Sequence, residues 1–325
     1  MCKYMYINYS MIKSLTMFMY TNSFILIFSS NSYFFLWICM EINLMMFMFL
    51  FKKINNSMTN NMMKYFIIQS LSSNLFLFWY FMMKFNFYYS SLAYFLIFNS
   101  MMIKMGLFPY NSWFFKISEN MNWNQWFLLN TFQKLIPLWI ISINWTQIFI
   151  LNLFILMNSF YSMIEIFNQI SIRWMINSSS LNHFSWMMVN MSAQDLIWEW
   201  YFIIYTQISF FLMMFLKNNN WNSIINMINN KNNIQMTSML VLMFNLIGIP
   251  PFLGFIPKVL ILSSSNSMFM PFILIMNNII ISSIYMYYCI PLISNTMKLK
   301  LNFSNKFNAM ILSSILLFFW SMITL

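Results

Sequence analysis

Apolar runs long enough to cross a bilayer follow one another along almost the whole chain, parted by short segments rich in Asn, Ser and Lys such as 52–64 and 217–235. A helix rises 1.5 Å per residue, so roughly 18 or more apolar residues are needed to cross about 30 Å of hydrocarbon. By that measure the pattern predicts spans at 14–30, 33–51, 65–83, 88–120, 126–144, 147–165, 174–192, 197–216, 236–263, 270–293 and 307–325. The expected fold is all-α: a polytopic membrane protein of about eleven transmembrane helices. Linkers this short leave no room for a water-soluble domain, so residues 1–325 read as a single membrane domain.

Composition agrees. Hydrophobic residues make up 61% of the chain and charged residues 6%, whereas about a quarter of a soluble domain is charged. The cysteines Cys2, Cys39 and Cys289 show no CxxC or Cys/His spacing, so neither a metal site nor a disulfide framework is predicted. No Gly-rich phosphate loop, dinucleotide fingerprint or nucleophile–base motif is present.

Two spans are too long for one straight crossing, 88–120 and 236–263. They hold all three glycines of the chain, Gly106, Gly248 and Gly254, with Pro109, Pro250, Pro251 and Pro257 close by. A chain that uses glycine nowhere else is expected to break two helices there, near Gly106 and Pro250. Freed backbone groups inside a membrane are tolerated where they line a polar cavity. The interrupted spans are the fourth and ninth of the series, five apart. Because five is odd, consecutive five-helix units would enter the membrane from opposite sides, as in the inverted repeats of transporters. The first repeat is expected over about 14–144 and the second over about 147–293, with a further C-terminal helix over about 307–325.

Net charge of +11 serves topology first. With Lys104, Lys134 and Lys258 set aside as intramembrane, one side receives Lys3, Lys13, Lys52, Lys53, Lys64, Lys116, Arg173, Lys217, Lys231, Lys298, Lys300 and Lys306, and the other only Lys84. Positive residues near helix ends stay on the cytoplasmic or equivalent side, which places the N-terminus there and the C-terminus opposite. The basic residues are scattered over many loops and form no stripe, so no nucleic-acid partner is expected.

A charged side chain near the bilayer centre costs roughly 2.5–3.5 kcal/mol on insertion scales, enough to require a partner, water or a function. Glu41 lies about 12 Å into the second span by helical rise. Lys104 directly precedes the first break, Lys134 lies within the fifth span, and Lys258 follows the second break. The only histidine, His183, sits in the seventh span, the repeat counterpart of the one carrying Glu41. A single intramembrane lysine has a structural reading too, paired to a carbonyl or snorkelling. Several placed around two breaks favour a proton relay over Glu41, Lys104, Lys134, His183 and Lys258. Glu165 and Arg173 flank one short loop and read as a solvated pair or as nothing specific.

The stretches Trp37 through Leu44, Lys104-Met105-Gly106 with Pro109 and Trp113, Gln133-Lys134-Leu135-Ile136-Pro137, Asn168 through Arg173 on to His183 and Trp186, and Gly248 through Phe255 with Pro257-Lys258 carry a resemblance. They resemble the family of NADH dehydrogenase subunit 2, the antiporter-like membrane subunits of respiratory complex I, in its short animal, insect-like form. The resemblance implies eleven helices interrupted at the fourth and ninth, with an N-terminus in the mitochondrial matrix and a C-terminus in the intermembrane space. It implies Glu41 and Lys104 as a coupled ion pair, Lys134 as the central lysine, His183 as a bridging group and Lys258 as the lysine of the second unit. It further implies a subunit of an H+-translocating NADH:ubiquinone reductase that holds no redox centre itself. NADH, FMN, iron–sulfur clusters and ubiquinone would sit on other subunits. Partners would be neighbouring antiporter-like and small core membrane subunits, together with membrane lipids. Other classes consistent with the residues are a stand-alone cation/proton antiporter and a structural membrane subunit.

Overall fold

The computed structural model describes residues 2–30, 32–50, 56–85, 90–144, 148–167, 169–192, 196–228, 233–250, 252–265 and 269–297. The expected helix over about 307–325 lies outside them. Helices account for nearly all of the described residues, and an isolated antiparallel β-bridge joins Ser171, just before α9 (Ile172–Ser192), to Ser223, just before α11 (Ile224–Ile228). Contacts divide the chain into two compact units, Met1–Gln147 and Ile148–Leu325.

The first unit holds α1 (Cys2–Phe28), α2 (Tyr33–Leu50), α3 (Asn56–Phe85), α4 (Ser90–Met105), α5 (Ser112–Glu119), α6 (Trp123–Asn130) and α7 (Phe132–Asn144). Successive helices α1 to α4 pack side by side, and α7 returns against α4. The second holds α8 (Ile148–Ile166), α9 (Ile172–Ser192), α10 (Ile197–Asn219), α11 (Ile224–Ile228), α12 (Asn233–Ile247), a 3₁₀ turn at Leu253–Phe255, α13 (Ile256–Ser264) and α14 (Phe269–Met297). Each unit runs through three long helices to one interrupted by glycine.

Both interruptions fall where glycine predicts them, and for the same reason. Gly106 (φ 64°) follows α4 and Gly248 (φ 73°) follows α12, each in the left-handed conformation that ends a helix and that a Cβ disfavours. Leu107 N–H then reaches back to the Met102 carbonyl at 3.2 Å, closing the wide turn of such an end. A third interruption has no glycine. The stretch expected as one span over 126–144 is two helices, parted at Thr131 (φ −112°, ψ −81°), whose hydroxyl donates to the Phe127 carbonyl at 2.7 Å. A threonine bonding back to the preceding turn competes with the helical ladder and bends it. The break lies one turn before Lys134.

Four helical stretches among the described residues are at least 18 residues long and apolar enough to cross a membrane, Thr59–Lys84, Trp123–Ile143 (α6 and α7 taken together across the bend at Thr131), Ile197–Asn219 and Phe269–Ile290. Shorter apolar helices lie between them. Large apolar side chains such as Phe49, Leu71, Ile164 and Phe272 are exposed, the surface a lipid solvent requires.

The second unit is built around α9, which packs on α8, α10, α13 and α14 and is buried without interruption from 175 to 191. Its buried residues include Asn177, Ser178, Ser179, Ser180, Asn182, His183, Ser185 and Asn190, so interhelical hydrogen bonds add to the apolar contacts of this core. Asn158 of α8 donates to the Leu181 carbonyl (2.8 Å) and to Ser185 Oγ (3.0 Å), Asn277 of α14 donates to Ser159 (2.9 Å), and Asn182 donates to Asn278 (2.8 Å). Interhelical bonds of this kind in a membrane average about 0.6 kcal/mol and reach about 1.7. Asn158→Val, which removes two of them, is expected to destabilise the folded protein by about 1–2 kcal/mol. A lower thermal-inactivation midpoint at unchanged specific activity would show it.

Candidate proton-relay site

Helix ends expose carbonyls that have lost their partners, and such groups buried in a membrane must be satisfied locally. At the end of α4 the donors are neutral. Trp113 Nε1 donates to the Ile103 carbonyl (3.1 Å) and Gln69 Nε2 to the Lys104 carbonyl (3.0 Å). At the end of α12 the corresponding groups are ionisable: Lys258 Nζ donates to the Ile247 carbonyl, and the His183 ring lies close enough to the carbonyl of Leu246 to interact with it. Lys258 and His183 are thus seated on consecutive peptide groups at the negative end of one helix dipole. His183 Nδ1 also lies 2.8 Å from the Tyr201 hydroxyl of α10. Which of the two donates depends on the tautomer of the ring.

In the first unit Lys104 is directed at Met40, with Nζ 3.2 Å from Sδ. The next residue of α2, Glu41, accepts a hydrogen bond from Ser73 of α3. Glu41 is close enough for its carboxylate to act electrostatically on the Lys104 ammonium. The resemblance implied a coupled pair at these positions. The structure brings the two groups together through their fields and shows no direct contact.

Lys134, 1% exposed, places its ammonium 4.1 Å from the centroid of the Phe114 ring on α5. A cation over an aromatic face is held by the ring quadrupole, by about 2 kcal/mol where water is excluded. A small cavity of about 10 Å³ lies beside Lys104 among Asn43, Tyr65, Gln69 and Gln133, the last being the residue before Lys134. That volume admits about one water molecule, and the polar lining supplies its partners.

All five expected residues thus lie among helix interruptions or beside them, three in the first unit and two in the second. Reasoning from the sequence missed Ser73, Gln69, Phe114 and Tyr201, which hold or face the ionisable groups, and noted Trp113 only as part of a motif, with no role. Ser and Gln in apolar spans carry a weak signal, and the aromatic residues are lost among many others. Tyr161 and Trp174 Nε1 (2.8 Å) donate to Glu165, while Arg173 donates to Asn222 (3.1 Å). Among the described residues no group of three or more His, Cys, Asp or Glu could hold a metal ion.

Interrupted helices with buried ammonium groups at their broken ends define a polytopic membrane protein of the ion-transporter type. The family described as NADH:quinone oxidoreductase/Mrp antiporter, TM, matches residues 30–285. The chain is 32% identical to NADH-ubiquinone oxidoreductase chain 2 of Anopheles gambiae, over 86% of this chain and 87% of that one. It is 35% identical to the chain of the same name from Artemia franciscana, over 76% and 78%. A chain from the solved structure of respiratory complex I from Thermus thermophilus with bound aureothin shares the fold with a TM-score of 0.78 at 14% identity, over 94% of this chain and 76% of that one. The chain belongs to the NADH:quinone oxidoreductase/Mrp antiporter family and, within it, to the NADH-ubiquinone oxidoreductase chain 2 proteins.

Proposed function

We propose that the chain is a proton-translocating membrane subunit of respiratory complex I, coupling electron transfer from NADH to ubiquinone in other subunits to proton movement through Glu41, Lys104, Lys134, His183 and Lys258. The observation that carries this reading is the seating of buried ionisable groups at the broken helix ends, above all Lys258 and His183 on the adjacent carbonyls of Ile247 and Leu246. Each elementary charge moved against 100 mV costs about 2.3 kcal/mol, so a relay needs groups whose proton affinity responds strongly to a neighbouring charge. Burial supplies that sensitivity, because Coulomb interactions strengthen as water is excluded.

In this reading a change of charge at Glu41 is felt by Lys104, then by Lys134, and in the second unit by His183 and Lys258. The redox groups, NADH, FMN, iron–sulfur clusters and ubiquinone, belong to other subunits, and the partners are the neighbouring membrane-arm subunits and lipid. The protein resides in the mitochondrial inner membrane. Its N-terminus faces the matrix and its C-terminus the intermembrane space, an orientation supported by the one-sided placement of Lys and Arg.

Reconstitution tests the assignment. Proteoliposomes bearing the complex that contains this chain are expected to translocate protons on addition of NADH and ubiquinone, while the purified chain alone exchanges no cation for protons. Cation/proton exchange by the isolated chain would overturn the reading in favour of a stand-alone antiporter. A cysteine-reactive, membrane-impermeant label is expected to reach a cysteine placed at Lys217 only from the matrix side.

A further inference from the structure

Ser73 Oγ sits between two acceptors. It lies within hydrogen-bonding reach of Glu41 Oε1 and 2.9 Å from the Ser70 carbonyl one turn back in α3. A hydroxyl has one hydrogen to give and two lone pairs to offer. The Ser70 carbonyl can only accept, whereas the Glu41 carboxyl accepts when ionised and donates when protonated. Two arrangements of hydrogens therefore fit the same heavy-atom positions. With Glu41 ionised, the Ser73 hydrogen points to Oε1. With Glu41 protonated, the acid hydrogen points to Ser73 Oγ, and the serine hydrogen turns to the Ser70 carbonyl.

We infer that Ser73 is a positioning residue whose hydroxyl turns between Ser70 and Glu41, so that Glu41 binds and releases one proton in place. The inference rests on the reading of Glu41 as a coupling group and names the device that lets it act. The proton gained or lost is the transported one. It ends on Oε1, while the serine keeps its own hydrogen and turns only the O–H bond. No side chain has to move, so a change of charge on Glu41 reaches Lys104, seated against the adjacent Met40, without rearranging α2 or α3. Among residues whose side chains are described, the titratable groups on the neighbouring helices are Lys104 and Tyr94 on α4, Tyr20 on α1, and Lys64, Tyr65, Tyr80 and Lys84 on α3. Of these only Lys104 carries a charge inside the apolar layer near Glu41.

The test compares Ser73→Thr with Ser73→Val in the assembled complex, because the two side chains share a shape and differ by the hydroxyl. A hydrogen bond to an ionised group is about twice as strong as one to a neutral group, so losing the hydroxyl weakens the carboxylate more than the acid. The pH profile of proton pumping in Ser73→Val is expected to move toward higher pH by about one unit, a tenfold change in proton concentration, with Ser73→Thr close to the parent. Infrared difference spectra on acidification, with the Glu41 carboxyl band identified by its loss in Glu41→Gln, are expected to show the same displacement. Coincident titrations in Ser73→Thr and Ser73→Val overturn the inference, as does a Glu41 band that does not titrate. Unchanged pumping in Glu41→Gln would instead sink the coupling role of Glu41, and the infrared comparison of the Ser73 variants still decides what Ser73 does.

Discussion

Gly254→Ala is expected to leave no assembled protein in the membrane. A Cβ at this position would lie 2.0 Å from the Asn245 carbonyl oxygen and 3.1 Å from Gly248 Cα. The reciprocal clash is nearly as severe, since a Cβ on Gly248 would meet the Gly254 carbonyl oxygen at 2.5 Å. These are backbone atoms, so no side-chain rotation relieves them. The segments on either side of the break must separate, and separation dismantles the seat of Lys258, whose ammonium lies 3.0 Å from the same built atom on Gly248 and holds the Ile247 carbonyl. A buried cation and a buried carbonyl would then lose each other in a layer without water. The combined penalty exceeds about 4 kcal/mol, the range in which single substitutions unfold marginally stable proteins. Native electrophoresis checks it: a normal amount of complex in Gly254→Ala would show that the two backbones do not approach as described. Gly106→Ala is expected to be milder but of the same kind, because its Cβ would meet Phe114 Cβ at 2.7 Å at a residue with φ 64°.

Why glycine and lysine positions were legible in the sequence, and much of their surroundings was not, follows from the range over which each signal acts. A glycine in a chain with only three of them reports a local demand, either a left-handed residue or a close backbone approach, and both breaks lie where those residues stand. A lysine in an apolar run reports a local cost, and Lys104, Lys134 and Lys258 are all buried. The break before Lys134 had no such mark, because Thr131 bends the helix through its own hydroxyl and threonine is unremarkable in a membrane span. Nor does spacing reveal that α9 is enclosed on all sides. Its serines donate to carbonyls of α9 itself, while Asn158 of α8 donates to Ser185 and to the Leu181 carbonyl and Asn182 donates to Asn278 of α14, partners that spacing does not name. The seating of His183 on the Leu246 carbonyl, 63 positions further on by the numbering, is a tertiary fact of the same sort. Sequence thus indicates which groups need partners, and the fold supplies the partners' names.

Lys134→Met should separate proton transport from every structural duty of that side chain. Two forces of opposite sign act on the ammonium. The Phe114 ring attracts it from 4.1 Å, worth about 2 kcal/mol in a dry site. The first turn of α7, where Lys134 lies, presents the positive end of a helix dipole and opposes it by about 0.3–1 kcal/mol. Methionine has nearly the same length, and its thioether packs well against an aromatic ring, so the pocket on α5 stays filled. Assembly and quinone reduction are therefore expected to persist. Proton transfer through this chain should fall by about 10²–10⁴-fold, the contribution typical of a positioned acid–base group. The measurement is the number of protons moved per NADH oxidised in proteoliposomes, together with the rate of quinone reduction in the same preparation. Lys134→Arg sharpens the comparison, because a guanidinium keeps the charge and does not release its proton. It should pump no better than the methionine variant. If Lys134→Arg pumps normally, the residue acts only as a fixed charge. If Lys134→Met fails to assemble while Lys134→Arg is intact, the ammonium is a structural pin and Lys134 leaves the relay.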